Sequence, residues 1–192
     1  MNILRVKKLT QYSLIAMFCG VASVGGYAGY LQIGGNFHEV IPNELYRSAQ
    51  LNESDLERKI KEYKIKTVVN LIGPRNDKWY RGEISAIKNQ QINHIDFEMS
   101  STKILPNEKA IKLVDILKNA EKPILIHCRS GSDRTGLASV IYLNRVSNLP
   151  EDVAERQLSI QYGHFGIPFL SPTYAMDETW EILETAFGIE NS

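Results

Sequence analysis

The sequence predicts an α/β fold in which a central, mostly parallel sheet is flanked by helices and preceded by one N-terminal hydrophobic helix. Short apolar runs typical of buried strands alternate with segments of helical periodicity, and this alternation implies parallel strands. An uncharged stretch, residues 9–37, precedes them. A chain of 192 residues with 43% hydrophobic and 23% charged residues suits one globular domain with an appendage. This composition excludes disordered, collagen-like and multi-span membrane proteins.

The uncharged stretch has positive charge on one side only. Its apolar centre, residues 13–33, is long enough to cross a bilayer as a helix. The basic residues before it are Arg5, Lys7 and Lys8, and the first acidic residue of the chain is Glu39. This asymmetry predicts that the N-terminus stays in the cytoplasm and that residue 40 onward lies outside.

The function of this segment stays open between two alternatives. An uncleaved anchor fits its length, whereas a cleaved signal peptide would use the Gly-Tyr-Ala site at residues 26–28. A buried soluble helix is disfavoured by the glycines, which membrane helices tolerate. We therefore divide the chain into an anchor or signal segment with its exit linker, residues 1–36, and a globular domain, residues 37–192. Cys19 lies inside the apolar segment, so we expect Cys128 to stay a free thiol.

The elements of the globular domain follow in order. After a linker over residues 31–44, a capping box of Ser54 and Glu57 predicts a helix start. Apolar or alternating runs bounded by turn residues predict the strands, and apolar residues at helical spacing predict the helices. The predicted strands span residues 67–72, 92–99 and 123–128. The predicted helices span residues 54–64, 78–90, 107–120, 135–146 and 150–162, and a last helix carries the apolar stripe of Met176, Trp180, Leu183 and Phe187.

The loop after the last strand, His-Cys-Arg-Ser-Gly-Ser-Asp-Arg-Thr-Gly at residues 127–136, is the most informative segment. A turn that runs into a helix N-terminus points successive backbone N–H groups at one spot, which makes an anion site. Arg134 can return its planar guanidinium to this spot and hold two phosphoryl oxygens. The same positive field favours the thiolate of Cys128, a nucleophile. We expect the phosphoryl group to be bound by Arg129, Ser130, Gly131, Ser132 and Thr135, the last of which can also donate its hydroxyl to the sulfur.

This loop resembles the signature of the protein tyrosine phosphatase superfamily, a cysteine and an arginine separated by five residues. The segments Glu-Leu-Tyr-Arg-Ser-Ala-Gln at 44–50, Thr-Val-Val-Asn-Leu at 67–71 and Gln-Tyr-Gly-His at 161–164 are similar to its atypical dual-specificity branch. The resemblance implies the cysteine phosphatase fold. It also implies that Cys128 attacks phosphorus and that a phosphocysteine intermediate is hydrolysed, with no metal and no cofactor.

The general acid of such a reaction is not obvious, because the loop over residues 100–106 contains no carboxylate. Asp133 precedes Arg134 inside the signature and is our preferred acid, as in the phosphoinositide phosphatases that this position resembles. Asp133 could instead bond loop amides or pair with Arg129. Asp96 and Glu98, on the predicted strand before that loop, are the alternatives, with Asp96 equally well explained as a solvated residue.

These observations predict a phosphatase that hydrolyses phosphate monoesters of phosphotyrosine or dual-specificity protein substrates, or of phospholipids and sugar-lipids. We expect an inner-membrane anchor with the catalytic domain on the periplasmic side, or a periplasmic or secreted protein after signal cleavage. A non-catalytic phosphate-binding module of a membrane complex is the alternative, and a rhodanese-type sulfurtransferase fits the arginine poorly. A formal charge of +0 gives no reason to expect nucleic acid as a partner.

Overall fold

A computed structural model describes residues 3–189 of the chain, which divides into two compact units, Met1–Gly34 and Gly35–Ser192. In the first unit a single helix, α1, spans Ile3–Ile33. Its part Gln11–Ile33 is long and apolar enough to cross a membrane, by length and composition.

The second unit is built on a five-stranded sheet. The strands are β1 (His38–Ile41), β2 (Leu45–Ser48), β3 (Thr67–Asn70), β4 (Asn93–Asp96) and β5 (Ile124–His127). They lie in the order β1-β2-β5-β3-β4, and only the β1–β2 pair is antiparallel. The predicted α/β class with a mostly parallel sheet is confirmed, and β5 occupies its centre.

Helices cover both faces of this sheet. They are α2 (Glu53–Tyr63), α3 (Lys78–Gln90), α4 (Asn107–Asn119), α5 (Asp133–Arg145), α6 (Glu151–Glu155) and α7 (Ala175–Phe187), with 3₁₀ turns at Ile160–Tyr162 and Pro172–Tyr174. Apolar residues of α4, α5 and α7 pack with one set of strand residues, and those of α2 and α3 pack with the alternate set. Val69 belongs to the first set and Val68 to the second, as the two-residue period of a strand requires.

Three predicted local features are wrong. The linker over residues 31–44 contains β1, which pairs with β2 as a hairpin that the short polar sequence does not reveal. The capping box at Ser54 is not the helix start, because α2 is capped by Asn52, whose side chain accepts the N–H of Asp55 at 2.9 Å. The helix predicted over residues 150–162 is only the short α6, followed by irregular chain and a 3₁₀ turn.

Candidate active site

The signature loop joins the central strand to a buried helix. Cys128 directly follows β5 and is 1% exposed, and α5 begins at Asp133. Thr135 and all of the next eight residues of α5 are buried. The loop therefore lies at the carboxyl end of a central parallel strand, where ligands bind in open α/β sheets.

The four backbone carbonyls from Arg129 to Ser132 each accept a hydrogen bond from a donor outside the loop. The hydrogen bonds run from Gln50 N to Arg129 O (3.2 Å), from Asn36 Nδ2 to Ser130 O (2.9 Å), and from Arg47 Nη2 to both Gly131 O (2.8 Å) and Ser132 O (3.3 Å). A run of carbonyls held on one side leaves the N–H groups free to face the other. This arrangement has the geometry of an anion cradle ahead of the α5 N-terminus.

Gly131 is required by the close approach of the loop to the β2 exit. Its φ is +74°, and a Cβ there would lie 2.6 Å from the backbone nitrogen of Ala49. The neighbouring atom is backbone and cannot move aside cheaply. Only glycine therefore allows the loop to fold this tightly.

Arg47 is the main support of the loop, and the sequence did not reveal it. Arg47 is fully buried, and its Nη1 donates to both O and Oε1 of Gln157 at 2.8 Å. Its guanidinium also stacks 3.9 Å from the ring centroid of Tyr162. Burial lowers the pKa of Arg47 to about 10, so the group stays charged at neutral pH and its charge interacts with Cys128.

Arg134 lies at the wall of an open cleft of about 460 Å³. Its Nη1 makes only long hydrogen bonds, 3.4 Å to the carbonyls of Leu71 and Met99, and its Nε has no partner within residues 3–189. The other residues that line the cleft are Gln50, Ile72, Arg75, Asp77, Trp79 and Arg129. A weakly held guanidinium with a free N–H is well placed to bind an oxyanion.

Thr135 is buried, and its hydroxyl has no hydrogen-bond partner in the part of the chain that the structure describes. The expected bond to the sulfur of Cys128 is therefore not formed in this structure. A buried hydroxyl without a partner is costly, so this group can turn to the thiolate or to a bound anion.

The residue before the nucleophile is held by a buried carboxylate that sequence reasoning missed. Glu83 of α3 is 2% exposed, and its oxygens lie 3.0 Å from His127 Nε2 and 2.9 Å from His94 Nε2. Burial opposes ionisation of Glu83, but the two histidines lower its pKa to about 2. The helix predicted over residues 78–90 contains Glu83, but nothing in that segment of the sequence indicated that Glu83 would contact His127 on β5. Through this ion pair with Glu83, His127 supports the loop at the end of β5.

Asp133 is fixed by a histidine rather than by Arg129 or the loop amides. His164 donates from Nδ1 to Asp133 Oδ1 at 2.8 Å and from Nε2 to Asp177 Oδ2 at 2.9 Å. Burial would lower the pKa of His164, but these two carboxylates raise it to about 9. The histidine is therefore protonated at neutral pH and joins the catalytic loop to α7.

The two alternative acids lie outside the loop. Asp96 is not a freely solvated residue, because Asn70 Nδ2 donates to its Oδ1 at 2.8 Å and Tyr80 donates to its Oδ2 at 2.5 Å. Glu98 is exposed and accepts from Arg75 at 2.8 Å, and this bond lowers the pKa of Glu98. Arg75 lines the cleft, so Glu98 stands at its rim.

Three solved structures share this fold. TpbA of P. aeruginosa, in complex with pTyr, is 19% identical with a TM-score of 0.62, and the match covers 82% of this chain and 93% of that one. The catalytic core of the PP-IP phosphatase SIW14 of S. cerevisiae is 22% identical with a TM-score of 0.57, over 81% and 94% of the two chains. Tk-PTP in its active form is 14% identical with a TM-score of 0.57, over 76% and 97%.

The match to a family model shows to which family the chain belongs. A search of the curated protein sequences found no match. The model of the tyrosine phosphatase family matches residues 23–156, well over half of the chain. This match, with the fold of the solved relatives, confirms the resemblance of the signature loop. The chain belongs to the tyrosine phosphatase family.

Proposed function

We propose that this phosphatase hydrolyses phosphate monoesters through a phosphocysteine intermediate on Cys128. The observation that carries the proposal is the outward turn of every loop carbonyl from Arg129 to Ser132. Because the carbonyls are held from outside, the N–H groups are directed at the phosphoryl group before it arrives. Such preorganised donors stabilise the charge that develops on the transferring oxygens.

The reaction proceeds in two displacements. The Cys128 thiolate forms an S–P bond while the ester O–P bond breaks, and the leaving oxygen takes a proton from an acid. Water then attacks phosphorus and gives a proton back to the same group, now a base; the S–P bond breaks, and inorganic phosphate and the thiolate are released. Arg134 follows the oxygens through both steps, and Thr135 donates to the sulfur as it leaves.

Asp133 is the acid in this proposal. Its Oδ1 accepts a hydrogen bond from His164, which orients the carboxyl within the signature loop. Both oxygens of Asp96 already accept hydrogen bonds, which argues against that residue. Loss of an acid hurts poor leaving groups most, so Asp133→Asn should slow alkyl phosphate hydrolysis about 10²-fold and p-nitrophenyl phosphate much less. If Asp96→Asn or Glu98→Gln showed this selective loss instead, the role would pass to that residue.

The substrate enters a cleft lined by three arginines and one carboxylate, Asp77. Arg75 and Arg129 line it together with Arg134, and the half-buried ring of Trp79 forms part of its wall. These groups suit a phosphorylated protein segment or a phosphorylated lipid headgroup, with additional negative charge beside the ester. The relatives act on or bind different phosphorylated molecules, pTyr for TpbA and PP-IP for SIW14, so the two classes need direct comparison. A panel of phosphotyrosine peptides, phosphoinositides and phosphorylated sugar-lipids would rank them by kcat/KM.

The test of the mechanism is the pair of variants Cys128→Ser and Cys19→Ser. Cys128→Ser should abolish hydrolysis of p-nitrophenyl phosphate, because serine is a far weaker nucleophile at neutral pH. Cys19 is the other cysteine of the chain and lies exposed on α1, so Cys19→Ser should keep full activity. Comparable activity in both variants would refute the mechanism. A wild-type protein that binds phosphate without turnover would favour the non-catalytic phosphate-binding module.

We also propose that α1 tethers the domain to a membrane, with the globular unit outside the cytoplasm. The support is the apolar stretch Gln11–Ile33 and the positive charge before it. A reporter that is active only outside the cytoplasm, fused after the last residue, should be active. Activity only from a cytoplasmic reporter would reverse the orientation, and release of a soluble product cut near Ala28 would identify a signal peptide.

A further inference from the structure

An uncharged segment follows His164, and its apolar side chains face solvent. Residues 165–176 contain no charged residue. Phe169 is fully exposed, at 105%, Leu170 is 79% exposed and Ile167 is 50% exposed. We call residues 167–170 the apolar tip. Single exposed apolar side chains are ordinary on protein surfaces, but three within four consecutive residues form a patch of the kind that marks a contact with a protein or a membrane.

The apolar tip is an ordered turn. The carbonyl of Ile167 accepts the N–H groups of Leu170 at 3.1 Å and of Ser171 at 2.9 Å. Gly166, at the base of the turn, lies against the carboxylate of Asp177 on α7, where an added Cβ would come within 2.7 Å of Oδ1. Because its base is fixed in this way, the turn presents its apolar side chains with little conformational entropy left to lose when a partner binds.

Phe169 adopts a backbone conformation that an aromatic residue disfavours, with a φ of +63°. The other non-glycine residues with positive φ in the described part of the chain are three asparagines and the C-cap residues of α2 and α3, where this conformation is common. Strained residues of this kind cluster at functional positions. The exposed ring gains no burial within residues 3–189, so burial against a partner would offset the strain.

The place of the tip in the chain indicates a membrane as its partner. Asn36 Nδ2 donates to the carbonyl of Tyr162 at 2.9 Å, so the start of the globular unit lies beside the segment that leads to the tip. Asn36 follows the last residue of α1, Ile33, by three residues. The inference rests on the tether proposed above, because a helix that spans the bilayer ends at its surface and leaves Asn36 only three residues of chain from that surface.

We propose that the apolar tip inserts into the surface of the membrane in which α1 is anchored. Ile167, Phe169 and Leu170 leave water for the boundary between headgroups and acyl chains, and no charge has to be desolvated because residues 165–176 carry none. The globular unit is then held at two points, the tether and the tip. His164, which precedes this segment, binds Asp133, so the tip also orients the signature loop on the membrane.

The experiment measures quenching of tryptophan emission by lipids brominated on their acyl chains. The full-length protein is reconstituted in vesicles of phosphatidylcholine and phosphatidylglycerol, and the emission of the wild type, from Trp79 and Trp180, is subtracted. In Phe169→Trp the brominated lipids should quench most of the added emission. Ile111→Trp, at a 53% exposed apolar position on α4, is the matched control and should keep its emission.

A second substitution tests whether the tip itself makes the contact. Leu170→Asp added to Phe169→Trp should lower the ratio of docked to undocked protein at least about 10-fold, because it removes an apolar side chain and places a charge at the interface. Ile111→Asp in the same background should leave the quenching unchanged. If Phe169→Trp does not fold, as judged by circular dichroism, Leu170→Trp takes its place and should be quenched as well.

Phe18→Trp, at an exposed position on α1, separates this inference from the proposed tether. Quenching in Phe18→Trp without quenching in Phe169→Trp would overturn the docking and leave the tether intact, whereas quenching in neither would overturn both. Equal quenching in Phe169→Trp and Ile111→Trp, or quenching that survives Leu170→Asp, would show that the tip is not the contact. A blue-shifted but unquenched emission in Phe169→Trp would assign the tip to a protein partner or a second copy, and would also overturn the proposal.

Discussion

The charged hydrogen bonds of His164 should make the protein less stable at alkaline pH than at neutral pH. His164 is 2% exposed and donates to Asp133 at the start of α5 and to Asp177 on α7. Its pKa rises from 6.5 to about 9 in the folded protein. A group with a raised folded pKa stabilises the protein fully below its unfolded pKa, and this contribution is lost as the pH rises through the folded value.

The magnitude follows from the size of the rise. At about 1.4 kcal/mol per pH unit, the change from 6.5 to about 9 corresponds to about 3 kcal/mol of unfolding free energy. The full amount is present below about pH 6.5, and it disappears between there and about pH 9.5. His164→Asn keeps an amide donor near Asp133 but does not titrate, so its stability should not contain this contribution.

Urea unfolding at pH steps from 6 to 9.5 measures the effect. The unfolding free energy of the wild type should fall by about 3 kcal/mol relative to that of His164→Asn across this range. His38→Asn is the matched control, because burial and Arg47 lower the pKa of His38, so it is neutral above pH 7 in both states. From pH 7 upward its profile should therefore parallel that of the wild type. Parallel profiles for wild type and His164→Asn would show that His164 carries no stabilising charge.

Two other changes test the supports of the loop. Gly131→Ala should destabilise the protein by more than about 2 kcal/mol and lower kcat/KM, because the added methyl group would collide with the backbone at Ala49. Gly188→Ala is the control: its φ is also positive, +66°, but the added methyl group would meet no other atom, so it should cost only about 1 kcal/mol and keep activity. Equal costs in urea unfolding would show that backbone strain, and not the clash, is responsible. Glu83→Gln should reduce the unfolding free energy by about 2–4 kcal/mol at pH 7, because the buried His127 and the half-buried His94 lose their carboxylate. An unchanged urea midpoint would contradict the role of Glu83.

The elements of this fold that could be predicted are those that depend on a pattern of consecutive residues. The strands β3 and β5 are short apolar runs ended by turn residues, and the signature loop is one unbroken segment from Cys128 to Gly136. Local patterns of this kind report burial and turn geometry directly. The hairpin of β1 and β2 was missed because its four-residue strands are too short and polar to show a period.

The supports of the active site were missed because their partners are distant in sequence. Arg47 binds Gln157 across 110 positions, and Asn36 binds Ser130 across 94. A single arginine in a short strand looks like any surface cation, and an asparagine in a linker looks like a turn residue. Their importance comes from the partner and from burial, neither of which a local pattern contains.

The donors that bind the carbonyls of the signature loop limit how many N-terminal residues can be removed. The first of them, Asn36, stands two residues after the boundary between the two units at Gly34, and it holds the carbonyls of both Ser130 and Tyr162. Cleavage near Ala28 or removal of the first 34 residues leaves this clamp intact. Removal of a few more residues would leave two buried carbonyls without their donor and loosen the catalytic loop from outside. A protease that cuts within this short interval would thus inactivate the enzyme without touching a residue that contacts substrate.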